Sequence, residues 1–144
     1  MTLFHRSPSS LQSEHTKIAD AAIAQVNAAA RIVRSRFVTD LPGQEMMYLR
    51  KETQARAFAS QVPEPTDMSD YPLIAAEVGI TGQTAAQVAQ IYINLAAQWE
   101  AVGAALESVR LGAIVNIEAA ADALTIDQIL TDFYTAMELF NAPA

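Results

Sequence analysis

The sequence predicts an all-α protein, an elongated helical bundle of about five helices with one long central helix and coiled-coil-like seams. Three observations predict it. Alanine supplies 28 of the 144 residues while glycine supplies 5 and proline 6, a composition that favours helix over a turn-rich β-sandwich. Apolar residues recur at steps of three and four in three separate stretches, the spacing that lines side chains along one helix face. Each stretch also carries a Ser or Thr followed three residues later by Gln, the pattern of a capping box. The hydrophobic fraction of 51% against 17% charged residues excludes a disordered chain, and the length fits one domain with an appended arm.

Residues 1–9 have no periodic pattern and end in a Ser/Pro cluster, so they read as an arm that Leu3 and Phe4 can anchor to a partner. The first helix is expected from about Leu11 to Val38, opened by Ser9 with Gln12, with Ala19, Ile23, Val26, Ala30, Val33 and Phe37 as its seam. Thr39 to Gly43 interrupts it with an N-cap and a proline, and Gln44 to about Gln61 resumes as a second helix, so 10–61 reads as a helical hairpin. Two prolines and three acids within 62–70 mark the main linker.

The remainder, 71–144, reads as a C-terminal helical bundle. A short helix is expected from Tyr71 to about Val78, capped by Ser69 or Asp70 and closed by Gly79. Thr84 with Gln87 then opens the long helix, whose seam is Val88, Tyr92, Leu95, Trp99, Val102, Leu106, Val109 and Ala113, at steps alternating between four and three. Unbroken from Ala85 to Ala121 it would measure about 55 Å at 1.5 Å per residue. Gly103 and Gly112 are its candidate breaks, each costing about 1 kcal/mol relative to Ala and tolerable where a neighbouring helix packs closely. Thr125 with Gln128 opens the last helix, with Ile126, Leu130, Phe133, Met137 and Phe140 along its seam.

The chain lacks cysteine, which removes disulfides, thiolate metal sites and cysteine nucleophiles together. His5 and His15 stand ten residues apart with no helical metal-ligand spacing, so no metal or cofactor is expected. Glu100, Glu107 and Glu118 would need burial against a partner helix to act as paired carboxylates, and Arg110 instead places Glu107 in an ordinary surface pair. No glycine-rich phosphate loop or nucleophile elbow occurs, and the expectation is a non-enzyme. The uncharged run between Val78 and Trp99 is interrupted by Gln83, Gln87, Gln90, Asn94 and Gln98, which argues against a membrane span.

Net charge is −7, unevenly spread: residues 1–56 carry eight Lys/Arg against five Asp/Glu, and residues 57–144 carry one against eleven. Arg31, Arg34, Arg36, Arg50, Lys51 and Arg56 form the basic stretch. It reads first as the polar face of two helices, with no nucleic-acid partner; head-to-tail contact with the acidic half of another copy is the alternative electrostatic role. Trp99 reads as a core or interface anchor, whereas Met46 and Met47 fit a binding face and a gap-filling core role equally. Apolar residues off the long seam, among them Ile91, Ile93, Leu111, Ile114, Val115 and Ile117, exceed what one partner helix covers and point to a subunit of an assembly.

The stretches LPGQEMMYLRKETQARAF (41–58), DYPLIAAEVGITGQTAAQVA (70–89) and QWEAVGAALESVRLGAIVNIEAA (98–120) resemble small Ala-rich helical proteins encoded in the tail and tail-fibre regions of tailed bacteriophages and prophages. The three stretches lie within 41–120, a span of somewhat over half the chain, and the resemblance has no catalytic motif to transfer. It implies a virion structural part made in the host cytoplasm, a homo-oligomer, with threefold symmetry suggested by fibre-like parts, that contacts other virion proteins. An assembly chaperone absent from finished particles is the alternative, and an amphipathic surface-coating protein a second one.

Overall fold

The computed structural model describes residues 6–37 and 41–140. Among them the protein is all-α, with five helices and no strand: α1 (Pro8–Ser35), α2 (Gln44–Ala59), α3 (Pro72–Glu77), α4 (Ala85–Ala119) and α5 (Ala123–Glu138). The proposed anchors Leu3 and Phe4 lie outside the described residues, as do Thr39 and Asp40 of the expected elbow.

Helix ends follow local chemistry more closely than the expected capping boxes. Pro8 sits at the first position of α1, where its fixed φ suits a helix and its missing N–H costs nothing, so α1 starts before Leu11. The cap is Ser7, whose hydroxyl accepts from the Ser10 N–H at 3.2 Å, and Ser9 is already inside the helix. Helix α5 likewise starts early, because Asp122 accepts from the Thr125 N–H at 2.8 Å; Gln128 turns to Asp132 instead. These bonds from Thr125 hold the Asp122 carboxyl below its ordinary range. At α4 the expected box forms in modified guise: Thr84 accepts from the Gln87 N–H, and Gln87 reaches back to the Gln83 N–H rather than to that of Thr84.

Helix α2 ends at Ala59, two residues short of expectation, and Gly43 caps its start at φ +82°, a conformation that strains residues with a Cβ. Helix α3 has no side-chain cap from Ser69 or Asp70; it begins with Pro72 and stops at Glu77. Val78 is extended, and the closing turn comes one step later at Gly79, whose φ of +82° lets its N–H reach the Gly82 carbonyl at 2.7 Å.

The chain forms two compact units that cut across the division expected at 62–70. The first combines α1, the part of α4 from Gly103 onward, and α5. Its core joins Val26, Ala30 and Val33 of α1 with Leu106 and Ile117 of α4 and Ile126, Phe133 and Met137 of α5. The Gln25–Tyr134 and Arg36–Phe140 hydrogen bonds show α1 and α5 running parallel, whereas Asn27–Arg110 and Arg34–Glu107 show α4 running opposite to α1.

The second unit spans 39–102 and contains the whole 62–70 segment, which is therefore an internal connection rather than a boundary between units. Its core is Ala55 and Phe58 of α2, Ile74 of α3, and Val88, Ala89 and Tyr92 of α4, with Met68 and Tyr71 packed against it. The expected 10–61 hairpin does not pack as one: α1 packs on α5 and α2 on α3. The reason is complementary apolar seams. Those of α1 and α5 meet in one core, while α2 meets α3 through the Phe58–Tyr71 edge contact and the Leu73 N–H on the Gln54 side chain.

Helix α4 passes through Gly103 and Gly112 without a break, and neither glycine admits a closely packed neighbour, since a Cβ at either would meet nothing within 4 Å. The glycines therefore carry the backbone-entropy penalty with no packing return. Gly112→Ala is expected to stabilise the fold by about 0.5–1 kcal/mol in urea unfolding, and a destabilised variant would contradict the open surroundings of that position.

Candidate functional site

The α4 seam is buried at its two ends and open in its middle. Val88, Tyr92, Leu106 and Ala113 are buried, but Leu95 is 44% exposed, and Trp99, Val102 and Val109 are half-buried. Trp99 is thus a shoulder rather than a core anchor, leaning on Tyr48 of α2 with ring centroids 5.5 Å apart. The seam runs straight in the sequence, but burial depends on the helices laid over it, and those change along α4.

In the second unit Lys51, Glu77 and Tyr92 converge from α2, α3 and α4. Lys51 Nζ donates to Glu77 at 2.5 Å and lies 5.1 Å from the centre of the Tyr92 ring. The Thr81 hydroxyl donates to the other Glu77 oxygen at 3.0 Å, and the Tyr92 hydroxyl reaches the Leu73 carbonyl at 3.4 Å. Burial alone would raise the Glu77 pKa, but the hydrogen bonds from Lys51 and Thr81, the nearby Tyr92 hydroxyl and the Lys51 charge outweigh it and hold the carboxyl below its ordinary 4.5. Burial, reinforced by the Glu77 charge, pushes the Tyr92 phenol well above its ordinary range. Both shifts move titration away from neutrality, which suits a charge clamp joining three helices.

A second network ties α1 to α4. Arg110 grips both oxygens of Glu107 and donates to Asn27 at 2.8 Å, while Arg34 donates to Glu107 at 2.8 Å. The Arg110 hydrogen bonds, followed by the charges of Arg110 and Arg34, hold Glu107 below its ordinary range. The expected Glu107–Arg110 pair is present, and its reach to α1 is an addition that spacing within one helix could not disclose.

The six basic residues are divided between the two units. Arg31, Arg34 and Arg36 belong to the first unit and Arg50, Lys51 and Arg56 to the second. Arg34 and Lys51 are spent on interhelix pairs, Arg36 reaches the Phe140 carbonyl at 3.3 Å, and Arg56 pairs with Glu52 on its own helix. Arg31 and Arg50 are exposed and form no ion pair among the described residues.

Large apolar side chains remain on the outside of both units. Met46 and Leu49 are 63% and 66% exposed on the face of α2 turned from Ala55 and Phe58, which places the methionine pair on the surface rather than in a core gap. Ile32, Leu124 and Leu139 stand out similarly on the first unit. Among the described residues no group of His, Asp and Glu could hold a metal ion, and no helix is long and apolar enough to cross a membrane. No family model, curated protein or solved structure matches the chain.

Two outcomes test these assignments. Because Glu77 titrates lower in the folded chain than its ordinary 4.5, its pairing stabilises the fold fully above that value and is lost as pH falls through the lowered one. The stability difference between the parent and Glu77→Gln in urea unfolding should therefore hold steady from about pH 8 to 5 and shrink below; a difference constant to about pH 2 would remove the clamp. Trp99→Ala should cost about 1–2 kcal/mol, less than the 3–5 of a fully buried Trp, by the same measurement.

Proposed function

We propose that the chain is a non-enzymatic structural part of a tailed-phage virion, in the tail, tail fibre or baseplate region, that works by docking helices against other proteins and against copies of itself. The observation that carries the docking role is the apolar surface left outside each packed unit, above all Met46 and Leu49 on α2, Ile32 on α1, Leu124 on α5 and Leu139 at its C-terminal cap. Large apolar groups on polar-rimmed helix faces mark contact surfaces, because leaving them in water forgoes about 25 cal/mol for each Å² they could bury. The polar clusters support the same reading. Lys51–Glu77–Tyr92 and Arg34–Glu107–Arg110 join helices, and their titrating groups are shifted away from neutral pH.

The virion setting rests on the resemblance of 41–58, 70–89 and 98–120 to phage tail-region proteins. Mass spectrometry of purified particles tests it. The chain is expected in fixed stoichiometry with the tail proteins; its absence from finished particles, together with co-purification with a fibre protein from infected cells, would replace the structural role with an assembly chaperone.

A further inference from the structure

Helix α1 carries a second apolar stripe beside its core seam. Leu11, Ile18, Gln25 and Ile32 recur at steps of seven, and at 100° per residue they lie about a quarter-turn from Val26 and Ala30. Leu11, Ile18 and Ile32 are 51%, 42% and 59% exposed, although the four-three pattern of the core side already satisfies the fold. Ala21 and Ala28 are exposed on the same flank and keep it shallow. Beside it runs the parallel helix α5, whose Tyr134 is 41% exposed and donates its hydroxyl proton to Gln25 at 3.2 Å. The two helices therefore present one apolar-floored face, with Gln25 and Tyr134 at its centre.

Unpaired charges of opposite sign stand on its two rims, with Asp20 an acidic exception on the α1 side. Lys17 and Arg31 edge the face on α1, and Asp127 and Glu138 edge it on α5; all four are exposed, and none forms an ion pair among the described residues. The Gln25–Tyr134 bond fixes their heights. Lys17 lies eight residues before Gln25 and Asp127 seven before Tyr134, while Arg31 lies six after the one and Glu138 four after the other. At 1.5 Å per residue, Lys17 is level with Asp127 and Arg31 with Glu138 to within about 3 Å.

We propose that this face pairs with the same face of a second copy, about a two-fold axis along the helices. That axis lays α1 of each copy over α5 of the other, so that Lys17 meets Asp127 and Arg31 meets Glu138, each pair occurring twice, while the apolar floors close on one another. A two-fold axis across the helices would set α1 on α1 and basic rim on basic rim, which the charges disfavour. The proposal rests on the reading of the chain as an assembly protein and names one of its contacts, with two-fold symmetry in place of the threefold symmetry expected of fibre parts.

Sedimentation equilibrium of the full chain tests it. The parent chain should be dimeric at micromolar concentration and dissociate more readily as salt rises. The variants K17E/R31E and D127K/E138K should each raise the dissociation constant by about a hundredfold or more, with unchanged helix content by circular dichroism. Mixed in equal amounts they should form a heterodimer, since each reversed rim then faces its opposite. A parent chain monomeric at 100 μM, as an order-of-magnitude ceiling for a specific contact, would overturn the proposal. So would reversed variants that dimerise as tightly as the parent, and the milder K17Q/R31Q applies the same criterion should the reversals fail to fold. A monomer in solution that is present in virions refutes the pairing alone, and a dimer missing from virions refutes the virion role alone.

Discussion

Burial on α4 comes in two blocks, Val88–Ala89–Tyr92 and Leu106–Ala113–Ile117, and each recruits different helices: α2 and α3 cover the first, α1 and α5 the second. A helix can sustain a regular apolar seam far beyond the length any one partner covers, because the period costs nothing to continue once set. What ends a block is the end of the covering helices. Between the blocks, Leu95 stands open and Trp99 is half-buried against the tilted ring of Tyr48, so one seam serves two cores and leaves a half-covered stretch of its own.

Helices and their faces were legible in the sequence because local spacing alone encodes them. Val26, Ala30, Val33, Ile126, Phe133 and Met137 all fall where steps of three and four place them. Pairing between helices was not legible, since α1 and α5 meet across about a hundred residues and no local signal distinguishes that partner from α2. The 62–70 segment misled for a related reason. Prolines and acids end helices wherever they occur, whether the chain then leaves the unit or turns back to lay Ile74 and Tyr71 on α2.

The same limit explains the charges. Read along the chain, Arg31 to Arg56 is a basic run, but its members serve different units and different bonds. The sequence offers Lys51 for external contact and gives no sign of its partner Glu77, because nothing in a six-residue helix signals that its carboxylate will meet a lysine two turns into α2. Tyr92 belongs to the seam by its apolar body, yet its hydroxyl and ring face also complete the clamp, a double use that only an amphipathic aromatic permits.

Alanine content ties these features to the assembly role we propose. Core positions filled by Ala22, Ala30, Ala55, Ala89 and Ala113 let helices approach closely but bury little area each, so the thin cores between them hold few large side chains. The large residues thereby left over, Ile18, Ile32, Met46, Leu49 and Leu124, stand on the outer faces. A chain folding only for itself gains by exchanging such positions for charge, because an exposed apolar group adds nothing to the fold and promotes nonspecific association. On the α1/α5 face they are instead flanked by charges of opposite sign at matching heights, and that arrangement suppresses indiscriminate sticking while favouring one register of contact. The apolar surplus and the charge pattern are thus the two features on which the pairing we propose rests, the first supplying area to bury and the second a register.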